Sequence, residues 1–370
     1  MLNRFFSLFS HDIGIDLGTS NTLVWVRGKG IVIREPSVVA IHKKTKNIVA
    51  MGTEAKKMVG KTPSTIITIN PLKDGVISDF DATTAMISNY IQKVHEVGSR
   101  LPSVWARPKV VIGIPSAVTE VEKRAVWEAA LTAGAREACL IEEPMAAAIG
   151  EGVSVFQPTG AMVVDIGGGT TEIAIISLGG IVVSHSLKIA GNEMDRAMAH
   201  YIRLKHGLLL GESTAEELKI KIGSAYQKSL KSKVKNSKLQ EEEIKTEEVR
   251  GERMAIIRGR DIETGLPKSI RVTEAEVRES LAPVLSKIIE EIALVLESAP
   301  PDLTNDILEH GILLTGGGSQ LSGIDHLIVE RTRMPVVLSN DPLTSVVRGT
   351  GKILEDTELL ARVKVTGGLK

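Results

Sequence analysis

The sequence predicts an α/β fold of two duplicated domains, each a mixed β-sheet flanked by helices, around a shared cleft. Three observations predict it. At 370 residues the chain exceeds one typical core and favours two domains. Residues 13–26 read as an apolar strand, a glycine-centred turn and a second strand, and residues 161–176 repeat this pattern with Asp165 in the place of Asp16 and Gly167 in the place of Gly18. A third strand follows each hairpin at nearly the same offset, residues 30–33 and 180–183, and strand and helix patterns alternate between the copies.

The elements follow in order. Residues 110–115 form an apolar strand. Thr119 and Glu122 make a T-x-x-E capping box that opens a helix, and Gly134 stops it. Leu140 and Ile141 lead into residues 142–150, where Pro144 suits a first helical turn and the alanines favour continuation. Residues 192–206 and 214–226 have helical period. Residues 273–296 form one or two long helices, with Pro283 as the candidate break. Residues 312–315 form a strand that runs into Gly316–Gly318. Residues 227–250 place lysines ahead of a cluster of glutamates with few apolar residues, which predicts a solvated loop or exposed helix.

Composition narrows the function classes. With 43% hydrophobic and 24% charged residues the chain can bury two cores and is expected to be soluble. Lys+Arg and Asp+Glu both total 45, so no strongly cationic domain favours nucleic acid. The single cysteine, Cys139, rules out an internal disulfide framework, and the eight histidines lack the spacing of a structural zinc site, which fits a reducing cytoplasm. No run approaches the roughly 20 apolar residues of a bilayer span, and no secretory leader is read. Residues 1–10 nevertheless hold three of the five phenylalanines. Leu2, Phe5, Phe6 and Phe9 among polar neighbours would form a short amphipathic strip suited to a membrane surface, the alternative being a terminus frayed or folded back on the core.

The hairpin turns carry the candidate chemistry. Glycine loops without Cβ atoms let phosphate oxygens approach backbone N–H groups. An isolated D-x-G is an ordinary turn, but two in register plus Gly316–Gly318 point to a polyphosphate. Asp16 and Asp165, each ending an apolar strand, are the candidates to face hydrated magnesium, which uses one or two carboxylates and keeps most of its water. Glu142 and Glu143 form an acidic pair in an apolar, small-residue segment. One could orient water toward a γ-phosphate while the other caps the helix, with the Thr170 hydroxyl helping to hold that water.

These segments together resemble the ATPase superfamily of actin, the Hsp70 chaperones and hexokinase. Its five motifs are placed at residues 16–22 (D-L-G-T-S-N-T), 142–150 (E-E-P-M-A-A-A-I-G), 165–171 (D-I-G-G-G-T-T), 314–323 (L-T-G-G-G-S-Q-L-S-G) and 345–352 (S-V-V-R-G-T-G-K). Over nearly the whole chain the sequence is most similar to the MreB family of bacterial actin homologues, through those segments, Asp341-Pro-Leu-Thr344 and the amphipathic start.

The resemblance implies an actin-like fold and a magnesium-dependent ATPase of weak turnover coupled to polymerisation. It implies a filament on the inner face of the cytoplasmic membrane that guides cell-wall elongation through a membrane adaptor and peptidoglycan synthases. It assigns Asp16 and Asp165 to the magnesium water shell, Gly18, Thr19, Ser20, Asn21 and Gly167, Gly168, Gly169 to the phosphates, and Gly316, Gly317 and Gly318 to the nucleoside. The helix with Glu216, Glu217 and Lys219 would contact adenine and ribose. Glu143 is preferred over Glu142 for the water, because E-P-x-A-A-A is shared with the chaperones. The implied domains are residues 11–152 with 345–370, including a small subdomain near 34–75, and residues 153–344, including one near 191–255. Residues 1–10 would be the membrane segment, and 227–250 would be an insertion beyond the family pattern. Competing expectations are a monomeric sugar or acetate kinase, for which no second-substrate aspartate is evident, and a chaperone ATPase, for which no peptide-binding domain follows. The choice between ATP and GTP stays open.

Overall fold

The computed structural model describes residues 10–96, 106–227, 245–249 and 252–365. The membrane-strip residues Leu2, Phe5, Phe6 and Phe9 and most of the 227–250 stretch lie outside these. Among the described residues no helix is long and apolar enough to cross a membrane.

Each half opens with the expected meander. In the first, β1 (Ile13–Leu17), β2 (Asn21–Val26) and β3 (Gly30–Pro36) pair antiparallel. The small lobe then inserts β4 (Val39–His42), β5 (Ile48–Met51), α1 (Gly52–Met58) and β6 (Ile66–Ile69), in sheet order β5-β4-β6. A two-strand turn of β7 (Leu72–Lys73) and β8 (Val76–Ile77) leads to α2 (Phe80–Glu96). Next come β9 (Lys109–Ile114), α3 (Glu120–Thr132), β10 (Glu137–Glu142) and α4 (Glu143–Glu151). Strands β9 and β10 add parallel to β1, so the first sheet has the order β10-β9-β1-β2-β3.

The second half repeats this order. β11 (Ala161–Ile166), β12 (Thr171–Ser177) and β13 (Gly180–Leu187) form the meander. The second small lobe follows as α5 (Gly191–His206), β14 (Leu208–Leu209), α6 (Glu212–Ile222), β15 (Lys245–Val249), β16 (Glu252–Asp261) and β17 (Pro267–Thr273). Then come α7 (Glu274–Ser298), α8 (Pro301–His310), β18 (Ile312–Thr315), α9 (Ile324–Thr332), β19 (Val336–Leu338), α10 (Ser345–Glu355) and α11 (Thr357–Val363). With β18 and β19 parallel to β11, the sheet reads β19-β18-β11-β12-β13, element for element the order of the first. The duplication read from two hairpins thus extends to all ten strands of both sheets.

Strand alternation divides the core. In β11, Met162, Val164 and Ile166 face a cluster roofed by α5 and α7, while Val163 faces the opposite cluster with α4 and α10. In β9, Val110, Ile112 and Ile114 join α2 and α3, and Val111 joins α4 and α10. Helices α4 and α10 therefore lie between the two sheets. Every residue from Pro144 to Gly150 is buried, as expected of a helix apolar all round. The two helices cross without intervening side chains: a Cβ on Gly150 would overlap the Ser345 carbonyl, and one on Gly349 the Ala146 carbonyl.

The capping box forms as predicted: the Glu122 N–H donates to Thr119 Oγ1 at 3.3 Å, and the Thr119 N–H donates to the Glu122 carboxylate at 2.7 Å. Gly134 follows the helix with φ +113°. One open expectation is resolved and two change. α7 is one helix of 25 residues through Pro283. A proline costs about 3 kcal/mol inside a helix, but Leu281, Val284, Leu285 and Ile288 around it are buried, each contributing roughly 1.5–3 kcal/mol. α6 stops at Ile222 rather than Tyr226, because Ser224 bridges to Ser322 and the Ala225 N–H donates to the Ser322 carbonyl. Residues 245–249 of the charged stretch are a strand paired with β16, not a loop or helix.

At the end of β1 away from its hairpin, the chain is tied down residue by residue. Ser10 Oγ accepts the Arg107 N–H at 2.8 Å, the His11 N–H donates to His95 Nε2 at 2.9 Å, and Asp12 accepts the Lys109 N–H at 2.8 Å. Asp12 also pairs with Arg136 at 2.7 Å.

The helix crossing predicts that Gly349→Ala and Gly150→Ala each cost about 1–3 kcal/mol or more, read from urea midpoints. Gly180→Ala, whose Cβ meets nothing nearer than 3.9 Å, should change the midpoint by less than about 0.5 kcal/mol. Equal effects at all three positions would refute close packing at the crossing.

Candidate functional site

The two hairpin turns meet across a cleft of about 500 Å³, within the range of small-molecule sites. Ser20 Oγ of the first loop donates to Asn192 Oδ1 at 3.1 Å, and Cβ atoms on Gly168 and Gly169 would run into Ser20 and Thr19. Each loop is held from behind. In the first, Gly18 O accepts Ser37 Oγ at 2.6 Å, the Ser37 N–H donates to Ser20 O at 3.0 Å, and Thr19 Oγ1 accepts the Gly75 N–H at 3.0 Å. In the second, the carbonyls of Gly167 and Gly168 accept the N–H groups of Gly191 and Asn192 at the start of α5, at 3.1 and 2.8 Å.

Carboxylates converge between the loops. Asp16 and Asp165 hold equivalent places on β1 and β11, and Glu143 opens α4; all three line the cleft. Burial pushes Asp16 up to about 7. Burial, then the Asp16 and Glu172 charges, push Asp165 up to about 8. Glu143 is raised well above the carboxylate range by burial, then by Glu172, Asp16 and Asp165. Among the described residues no lysine or arginine is paired with any of these three.

A divalent cation fits this donor set. The buried carboxylates lack a protein cation, yet no group of three or more His, Cys, Asp or Glu side chains among the described residues could grip a bare ion. Aspartates on opposite walls instead suit an ion that keeps its water, as magnesium does.

The far end of the cleft combines small, apolar and charged residues. Gly316, with φ +84°, has no room for a side chain against the Asp165 carboxylate and Ile166 carbonyl, and Gly317–Gln320 form a 3-10 turn. Leu321, Leu343, Ile220, Glu216, Lys219 and Arg253 complete this end. Lys219 bonds Asp195 at 2.9 Å and the Gly191 carbonyl at 2.8 Å, and Arg253 bonds Glu274 at 2.8 Å.

Of the residues singled out in the sequence, Asp16, Gly18 to Asn21, Glu143, Asp165, Gly167 to Thr170, Glu216, Lys219 and Gly316 to Gly318 all line this one cleft. Glu217 and Glu142 do not. Glu217 pairs along its own helix with Lys221 at 2.8 Å. Glu142 precedes α4 without a side-chain capping bond, raised by burial and lowered by Lys123, so the cleft member of the acidic pair is Glu143.

Sequence reasoning passed over Glu172, which is 1% exposed, stands opposite Asp165 in the β11–β12 ladder, and accepts the Ser116 N–H at 3.1 Å and the Ser186 hydroxyl at 2.5 Å. The available signal was a lone carboxylate inside T-E-I-A-I-I. Asn192 and Gly75 also went unread; neither has a signal apart from the fold.

Comparison with known proteins gives one consistent result. Residues 10–362 match the family described as MreB/Mbl protein. The chain is similar to the cell shape-determining protein MreB of Escherichia coli, 46% identical over 359 residues and 96% of each chain. It is similar to the cell shape-determining protein Mbl of Bacillus subtilis, 43% identical over 97% of this chain and 100% of that one. Solved structures of MreB5 of Spiroplasma citri, bound to ADP and to AMPPNP, superpose with TM-score 0.83 at 36% and 37% identity, covering 95% of this chain and 98% of theirs.

The buried carboxylates set a pH dependence. A carboxyl whose folded pKa is raised stabilises the fold below its unfolded pKa and loses that contribution as pH rises through the folded value. Nucleotide-free protein should therefore lose stability to urea progressively from about pH 4, where these carboxyls ionise in the unfolded chain, to about pH 8, where Asp165 ionises in the folded one, and Asp165→Asn should flatten the slope and raise stability at the upper end. An unchanged slope in Asp165→Asn would show that this carboxylate is not held protonated.

Proposed function

The chain belongs to the MreB/Mbl family, and from that premise we propose that it is an actin-like cytoskeletal ATPase that polymerises with ATP on the inner face of the cytoplasmic membrane and guides cell-wall elongation. The observation that carries this reading is the pair of opposed Asp-Gly loops with Glu143 between them, in a fold whose MreB5 relative holds ADP and AMPPNP. The amphipathic residues Leu2, Phe5, Phe6 and Phe9 supply the membrane contact, and a membrane adaptor with peptidoglycan synthases are the cell-wall partners. The proposed domains are residues 11–152 with 345–370, and 153–344. The return of α10 onto α4, β1 and β9 supports this division.

Gly18 to Asn21 and Gly167 to Gly169 bind the phosphates through backbone N–H groups and hydroxyls. Gly316 to Gly318, Glu216 and Lys219 form the nucleoside end. Asp16 and Asp165 would hold hydrated magnesium, which would supply positive charge to neutralise the phosphates. Glu143, in its ionised form, orients the attacking water and accepts its proton, and the Thr170 hydroxyl fixes that water from the second loop. The lining's only cationic side chains among the described residues, Lys219 and Arg253, are tied to Asp195 and Glu274. With both tied in this way among the described residues, neither is free to stabilise the transferring phosphoryl group, which supports the reading of slow turnover.

Sedimentation with ATP and anionic liposomes should pellet polymer and membrane together. A protein that stays monomeric with ATP would overturn the reading, and unchanged liposome binding after deletion of residues 2–9 would overturn the anchor. Glu143→Ala should slow phosphate release at least about tenfold while ATP remains bound. An unaltered rate would move the role to another residue.

A further inference from the structure

The two small lobes touch above the cleft through one charged pair. Lys56 Nζ of α1 lies 2.7 Å from Glu216 Oε2 of α6, although the residues belong to opposite halves of the molecule. Lys56 is not part of the cleft lining; Glu216 is.

Both ends of this contact are fixed from below. Ala55, beside Lys56, is fully buried with Val38 and Ala40, so α1 is pinned to its sheet. That lobe is tied to α2 where Lys93 pairs with Glu35 at 2.7 Å. On the other side, Ala215 and Leu218 root α6 in the second core. The Glu216 charge also reaches Asp195, the partner of Lys219, and Lys219 bonds the carbonyl of Gly191, whose N–H in turn holds Gly167 O of the second phosphate loop. Polar contacts thus run from Asp195 through Lys219 and Gly191 to the phosphate loop, and the Lys56–Glu216 pair adjoins their outer end through the Glu216 charge beside Asp195.

We propose that Lys56 is a positioning residue that acts through Glu216, latching the small lobes together over bound nucleotide and setting the rate of nucleotide release, not the rate of hydrolysis. The inference rests on reading the cleft as a nucleotide site. Both side chains are near 40% exposed, so the latch is weak and screened by salt. Such a contact yields readily when nucleotide exchanges.

The test preloads full-length protein with fluorescent ADP and chases with excess unlabelled ATP. Lys56→Ala should speed release about two- to fivefold, the size expected of a half-exposed ion pair. Lys56→Arg should restore the wild-type rate, and single-turnover hydrolysis of bound ATP should be unchanged in both. Raising salt from about 0.05 M to about 0.5 M should speed wild-type release toward that of Lys56→Ala while altering the variant little. Release from Lys56→Ala at the wild-type rate, or Lys56→Arg behaving as Lys56→Ala, overturns the latch alone. A wild type that retains no labelled ADP overturns the nucleotide reading and the latch with it.

Discussion

Two sheets each deliver an aspartate to one space, and the molecule cannot close over that space without burying negative charge against negative charge. Asp16 and Asp165 stand at matching positions of β1 and β11, and Glu143 enters from the helix between them. Moving a carboxylate out of water is costly unless a cation or several donors receive it. Among the described residues no lysine or arginine is paired with these three, and burial pushes the Asp16 and Asp165 carboxyls up to about 7 and about 8. A cation received there removes the conflict.

The arrangement depends on how closely the halves approach. Helices α4 and α10 fill the gap between the sheets, and their contact runs through glycines and alanines, with backbone lying on backbone. Longer side chains there would spread the sheets and part the loops. The edges of the crossing are polar: Glu151 accepts hydrogen bonds from Ser339, Ser345 and Arg348, and the Lys352 ammonium donates to the carbonyls of Ile149 and Gly150.

Much of this was legible in the residues, for stated reasons. Hairpins announce themselves locally, because apolar alternation and glycine turns need no distant partner, so both Asp-Gly loops and their repeat were readable. The capping box at Thr119 was readable on the same grounds. What escaped was set by tertiary contact. Pro283 reads as a break until the burial on both sides of it is counted, and α6 ends where a distant serine offers a bridge. Glu172 looked like a strand residue because its meaning comes from facing Asp165 across the ladder. Spacing alone left Glu142 and Glu143 level, the family resemblance favoured Glu143, and the chain's turn into α4 places that one at the cleft. The 245–249 strand was hidden because its partner lies beyond the charged run.

Strand β1 joins two places that are otherwise far apart. Asp16 stands at one end and the Ser10 to Asp12 tether at the other, about 15 Å away at the rise of an extended chain. Its neighbours β2 and β9 pair with it on both sides, so it has no freedom to stretch or bend alone. The strand is a rigid spoke. Whatever turns the first sheet at the cleft turns the root of the amino terminus through the same angle, with no intermediate joint.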